Sequence, residues 1–184
     1  MLKIKAVIMT AVFLTVSIVG AQELKFGTKP VITLAIAKQL AAAILKASCK
    51  VAPPPGERPI VTNGVSGDCI GSVAIADDSG TVFYLETLDG TQAPSIQMAI
   101  AKARTAALWK RSTTTFHNKI QDGSNMSYLD NSFDLTTAIG GEPLYLGNDV
   151  VGGIGFSGQN PDNVMPAAMA EWKRITEQAS AIAP

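Results

Sequence analysis

Four residues spaced three or four apart carry the most chemically useful surface of this chain: Met98, Lys102, Thr105 and Trp109. At 100° per residue they fall within about 60° of one another on a helix. They place a thioether, an ammonium, a hydroxyl and an indole on one stripe, a set suited to a flat anionic cofactor. Trp109 can stack on a macrocycle, Lys102 can pair with an acidic substituent, and Met98 or Thr105 can approach a metal. The same stripe can instead pack against a neighbouring subunit. His117 is the only histidine and follows shortly after, with Phe116 beside it as a ring that can flank a ligand. It can ligate a metal or simply be solvated on a loop. Its uniqueness rules out a bis-histidine site within one subunit but leaves one between subunits open.

Other chemistry-bearing residues point to structure. Gly153-Ile-Gly-Phe-Ser-Gly158 fits G-x-G-x-x-G, but a dinucleotide fold needs a parallel βαβ unit and a later acidic residue on a second strand. Here the chain ends in the helix that follows the glycines. Close approach of a helix to the strand, or a bulge, explains those glycines better. Asp77, Asp78 and Asp89 lie near glycines in turns, where aspartate commonly satisfies backbone donors. Ser157 is not on a nucleophile elbow. Two cysteines and one histidine make a poor zinc site. No residue is assigned a catalytic role.

The elements that must position the stripe follow from periodicity. Ile32, Ile36, Leu40, Ala43, Ile44 and Ala47 share one face of a helix over 30–48, with Thr33 as its N-cap. Ile70–Ala76 and Thr81–Thr87 read as strands joined by the turn Asp77-Asp-Ser-Gly80. Ser95–Lys110 is the clearest helix. Ile96, Ile100, Ala103 and Ala107 form its sheet-packing stripe, with Ala99 and Ala106 beside it. Residues 112–138 are polar and read as a long ordered loop with room for one short helix. Leu144–Leu146 and Val150–Phe156 are strands around Gly147-Asn-Asp149. Asn160 and Pro161 then open a C-terminal helix. Consecutive hairpins imply an antiparallel sheet and the helices imply covering layers, an α+β sandwich in the order α-β-β-α-β-β-α.

The chain has 184 residues. Lys3 and Lys5 precede an apolar run from Ala6 to Val19, and Val19-Gly-Ala21 offers small residues for cleavage. This reads as a secretory signal peptide over residues 1–21. A membrane anchor is the alternative, but the run is short for a span of about 20 residues and lacks a basic flank. Taking 21 residues from 184 leaves 163, a single domain over 22–184 with a real core. Without the two signal lysines, 13 basic residues stand against 15 acidic, a formal charge of −2. No basic excess is available for phosphates, which argues against nucleic acid as main partner. No second hydrophobic span follows, so no membrane insertion is expected after cleavage. Export to the periplasm or beyond exposes Cys49 and Cys69 to an oxidising compartment. A disulfide between them would close the Pro- and Gly-rich loop, stabilising by roughly 3 kcal/mol. Two free thiols are the alternative.

Several segments stand in an order that resembles the GlcG/HbpS-type family of haem-binding proteins, itself similar to the C-terminal domain of PduO-type proteins. They are Val73-Ala-Ile-Ala-Asp-Asp-Ser-Gly80, Leu88-Asp-Gly90, Ala99-Ile-Ala-Lys-Ala-Arg-Thr-Ala106, Gly140-Gly-Glu-Pro143 and Val151-Gly-Gly-Ile-Gly-Phe-Ser-Gly158. The likeness covers Ile32 to Thr176. It implies a profilin-like sandwich, assembly as a homo-oligomer, and haem as cofactor. Haem iron is usually held by His, Cys, Met or Tyr. The resemblance adds a threonine in this region, and so singles out Thr105. The chain departs from the family at Thr87-Leu88, where an Arg-Met pair is usual, at Asp162-Asn-Val-Met-Pro166, and in the 49–69 loop. The expected function is an exported haem- or tetrapyrrole-binding protein that sequesters, buffers or senses its ligand. The alternatives are a binding module for a small organic acid or aromatic metabolite, or a subunit of an oxidative-pathway enzyme.

Overall fold

The computed structural model describes residues 29–49, 70–125 and 135–182. The expected signal segment over residues 1–21, Cys69 and most of the 49–69 loop lie outside the described residues. The elements are α1 (Leu34–Ser48), β1 (Gly71–Asp77), β2 (Val82–Thr87), α2 (Pro94–Trp109), α3 (Thr113–Gln121), β3 (Gly141–Leu146), β4 (Asp149–Gly158) and α4 (Pro161–Ile182). The strands form one antiparallel sheet in the order β2-β1-β4-β3. This is the expected α+β sandwich, with α3 added between the hairpins. Among the described residues no helix is long and apolar enough to cross a membrane.

Local chemistry sets the turns. Thr33 caps α1, its hydroxyl accepting from Ile36 N at 3.3 Å. Asp77 folds the first hairpin: its Oδ1 accepts from Ser79 N and Thr81 N, both at 2.9 Å, and from Ser79 Oγ at 2.6 Å. Burial alone would raise its pKa, but these bonds outweigh it and hold the carboxyl below its ordinary value. Asp77 is therefore a turn residue, as its glycine neighbour implied. Asn160 precedes α4, and its carbonyl accepts from Asn163 N at 2.9 Å and Val164 N at 3.3 Å.

Alternation in β1 splits the core between the two faces of the sheet. Val73 and Ile75 point to α1 and α4, joining Leu40, Ile44, Leu144, Ile154, Phe156, Val164 and Trp172 in the main core. Ala74 and Ala76 point the other way and meet Ala99, Ala103 and Ala107 of α2. Two expected faces are corrected in detail. In α1 the buried set is Ala37, Leu40, Ala41, Ile44, Leu45 and Ser48, while Ile36, Ala43 and Ala47 lie at its margin. In α2 the buried residues are Ala99, Lys102, Ala103, Thr105, Ala106 and Ala107, and Ile96 and Ile100 are half-buried. The floor under α2 explains the second shift. A Cβ on Gly153 would lie 2.3 Å from Ala103 O, and one on Gly155 would lie 2.2 Å from Ala99 O. Backbones this close leave room for methyl side chains and push isoleucines to the flank.

The third strand also begins earlier than its apolar residues suggest. Gly141-Glu-Pro143 already pairs with β4, Gly141 opposite Gly155. Pro143 is tolerated because β3 is an edge strand.

Candidate functional site

The structure divides the expected stripe on α2 into three places. Thr105 and Met98 share one. Thr105 has no exposed surface, and its hydroxyl donates to Ala101 O at 2.7 Å and accepts from Thr136 N at 2.9 Å. Met98 is 38% exposed, and its sulfur accepts from Thr136 Oγ1 at 3.7 Å. A groove of about 460 Å³ opens beside them, lined by Pro94, Gln97, Met98, Ile100, Ala101, Leu135 and Thr136. Its volume suits a small-molecule ligand, and its mostly apolar lining suits a flat hydrophobic one.

Lys102 faces away from this groove. It is 5% exposed, and its ammonium donates to Phe156 O at 2.9 Å, beneath the end of β4. Desolvation lowers its pKa to about 8, against an upward pull from Asp162. Glu142 stands near the same edge, accepting from Ser112 Oγ at 2.5 Å. Burial raises the Glu142 pKa, the Ser112 bond opposes the rise, and Asp162 adds to it. Glu142 and Asp162 line a smaller cleft of about 160 Å³ with Thr114, Gly140, Met165, Pro166 and Met169. Pairing of Lys102 with an acidic ligand in the larger groove is not what this geometry offers; the amine serves the sheet.

Trp109 occupies the third place, at the far end of α2. It lies eleven positions after Met98, about 16 Å along the helix. It packs edge-on against Phe116, centroids 5.9 Å apart at 77°. Phe116 is fully buried, so it braces Trp109 rather than flanking a ligand. His117 is half-buried on α3, the one short helix for which the polar 112–138 stretch had room. Ser112 caps that helix, accepting from Thr114 N at 3.2 Å.

Sequence reasoning missed Thr136 and the Lys102–Glu142–Asp162 neighbourhood. Thr136 lies in an irregular stretch with no periodic signal. Glu142 could have been flagged as a charge inside an otherwise apolar strand.

The family model described as haem degrading protein HbpS-like matches residues 59–172. The chain belongs to this family. It is 30% identical over 86 residues to protein GlcG of Escherichia coli strain K12, covering 47% of this chain and 63% of that protein. The chain thus spans less than two thirds of the length of the curated relatives it matches. Among solved structures, an HbpS double mutant from Streptomyces reticuli superposes with TM-score 0.65 at 23% identity, over 85% of this chain and 95% of that one. A PduOC:heme complex superposes with TM-score 0.62 at 20% identity, over 78% of this chain and 94% of that one. Klebsiella pneumoniae protein ORFY gives TM-score 0.65 at 20% identity, over 83% and 96%. At these identities the structural likeness establishes the fold.

Proposed function

We propose that this protein binds haem or a related tetrapyrrole in the groove on the outer face of α2. The observation that carries this reading is the family match over 59–172, which includes α2 and its groove beside Met98 and Thr105. The residues present fit the group. Pro94, Ile100, Ala101 and Leu135 supply apolar surface for a macrocycle. Met98 offers an accessible thioether, a ligand type haem iron accepts. Thr105 offers a hydroxyl that already accepts one hydrogen bond and keeps a second lone pair. Haem, when bound, would supply a redox-active iron centre, which Met98 or Thr105 would hold. The protein's part is to orient the ring on α2 and exclude water from one face.

The wider reading is an exported, oligomeric protein that sequesters, buffers or senses this ligand. The basic-then-apolar start of the sequence supports export to the periplasm or outside. Exposed Phe83, Leu85 and Leu108 support assembly with further copies. Export also favours a Cys49–Cys69 disulfide, and thiol titration of denatured, unreduced protein checks it: two reactive thiols rule it out. A small organic acid fits less well. The smaller cleft presents Glu142 and Asp162, which repel an anion.

The test is a visible-absorbance titration with haemin of the signal-free protein and of Thr105→Ala, Met98→Leu and His117→Ala. A saturable, shifted Soret band is expected. It should be lost or weakened at least tenfold in Thr105→Ala and kept in His117→Ala. Absence of a saturable band in the unsubstituted protein overturns the proposal.

A further inference from the structure

Thr136 touches both groups that the groove offers to a ligand. Its backbone N–H donates to the Thr105 hydroxyl at 2.9 Å, and its own hydroxyl donates to the Met98 sulfur at 3.7 Å. The Thr136 hydroxyl is held in turn by Ala138 N at 3.1 Å. With these contacts in place Thr105 has no exposed surface, although Thr136 and Leu135 themselves line the open groove. An incoming ligand therefore meets Met98 at the surface and finds Thr105 behind Thr136.

We propose that Thr136 is a latch: it holds the Thr105 hydroxyl and the Met98 sulfur, and it must leave both for a ligand to reach Thr105. The inference rests on the reading of this groove as the ligand site and names the residue that sets its apparent affinity. The contacts are few and weak enough to exchange. One is a neutral hydrogen bond from an irregular segment to a helix side chain, and the other is a long bond to a thioether, a poor acceptor. Breaking them orphans no strand ladder, because residues 135–140 belong to no strand. The apparent dissociation constant is then the intrinsic one divided by the fraction of molecules with the latch open.

Two substitutions separate the two contacts. Thr136→Val keeps the N–H and removes the hydroxyl. Thr136→Pro removes both donors. A latch predicts haemin binding about twofold tighter in Thr136→Val and about tenfold tighter in Thr136→Pro, the scale of one net hydrogen bond. Amide hydrogen exchange of the unsubstituted protein supplies a readout that needs no ligand. The Thr136 amide should exchange through a local opening, many times faster than the amide of Ile154 in the central strand β4. Haemin binding of equal affinity in all three proteins overturns the latch and leaves the haem reading intact. If haemin binds none of them, the haem reading fails, and the exchange result decides the latch alone. Local opening at Thr136 sustains it, and exchange only with global unfolding overturns it.

Discussion

The inner face of α2 meets glycine, and its outer face meets Thr136. On the inner face, Ala99 and Ala103 lie so near Gly153 and Gly155 that a single added carbon has no place. On the outer face, Met98 stays 38% exposed beside a groove of about 460 Å³. One helix thus carries a rigid contact and an adaptable one. A backbone pinned to the sheet lets the opposite side chains be held in place without being packed.

The largest effect should come from the pinned side. Gly155→Ala puts a methyl 2.2 Å from Ala99 O and 2.5 Å from Ala103 N, both backbone atoms. Neither can swing aside, so α2 must lift from the sheet as a unit. Overpacking usually costs about 1–3 kcal/mol, and a backbone clash should reach about 3 kcal/mol or more. Urea denaturation reads this as a large fall in midpoint or as failure to fold. A loss below about 1 kcal/mol would show that the inner face is as adaptable as the outer one.

Lys102 sits where the two faces meet, and its cost depends on pH. Its pKa falls from 10.5 to about 8 on folding, chiefly through desolvation. The unfolded chain therefore binds this proton more tightly than the folded one. Stability from this group is fully present above 10.5 and is lost as pH falls towards 8. The swing is roughly 3 kcal/mol. Denaturation midpoints of the native protein should climb across that window. Lys102→Met should flatten the climb and be relatively more stable below it. Parallel profiles would mean that the amine is solvated and the inner face less closed than its 5% exposure indicates.

How much of this was legible in the sequence follows the same division. The strand-like runs Ile70–Ala76 and Thr81–Thr87 and the Asp77–Gly80 turn between them identified the first hairpin, because strand composition and Asx chemistry are local. The alanines of α2 and the glycines of β4 announced close packing. The exact buried face did not show, since which methyls touch the floor depends on how the helix sits on the sheet. The four-residue stripe was grouped by angle alone, and angle says nothing about distance along the axis or side-chain direction. Lys102 turned inward to a carbonyl 54 positions away in the chain, at Phe156. Trp109 went to Phe116. Thr136 has no periodic neighbours, so only the folded structure could place it on Thr105.

The smallest effects on stability, paired with the clearest effects on binding, belong to the outer face. Thr105→Val keeps the shape but leaves the Thr136 N–H without its acceptor. That should cost about 1 kcal/mol, seen as a modest drop in denaturation midpoint. Met98→Leu is nearly volume-conserving at a 38% exposed position, so its cost should stay within about 0.5 kcal/mol. Haemin affinity should nevertheless fall in both, more in Thr105→Val than in Met98→Leu. The order matters because it runs against surface access. Met98 is the group a ligand meets first, and Thr105 is the one hidden by Thr136. If Met98→Leu removes more affinity than Thr105→Val, the ligand stops at the thioether, and the buried hydroxyl serves only to tie Thr136 to the helix.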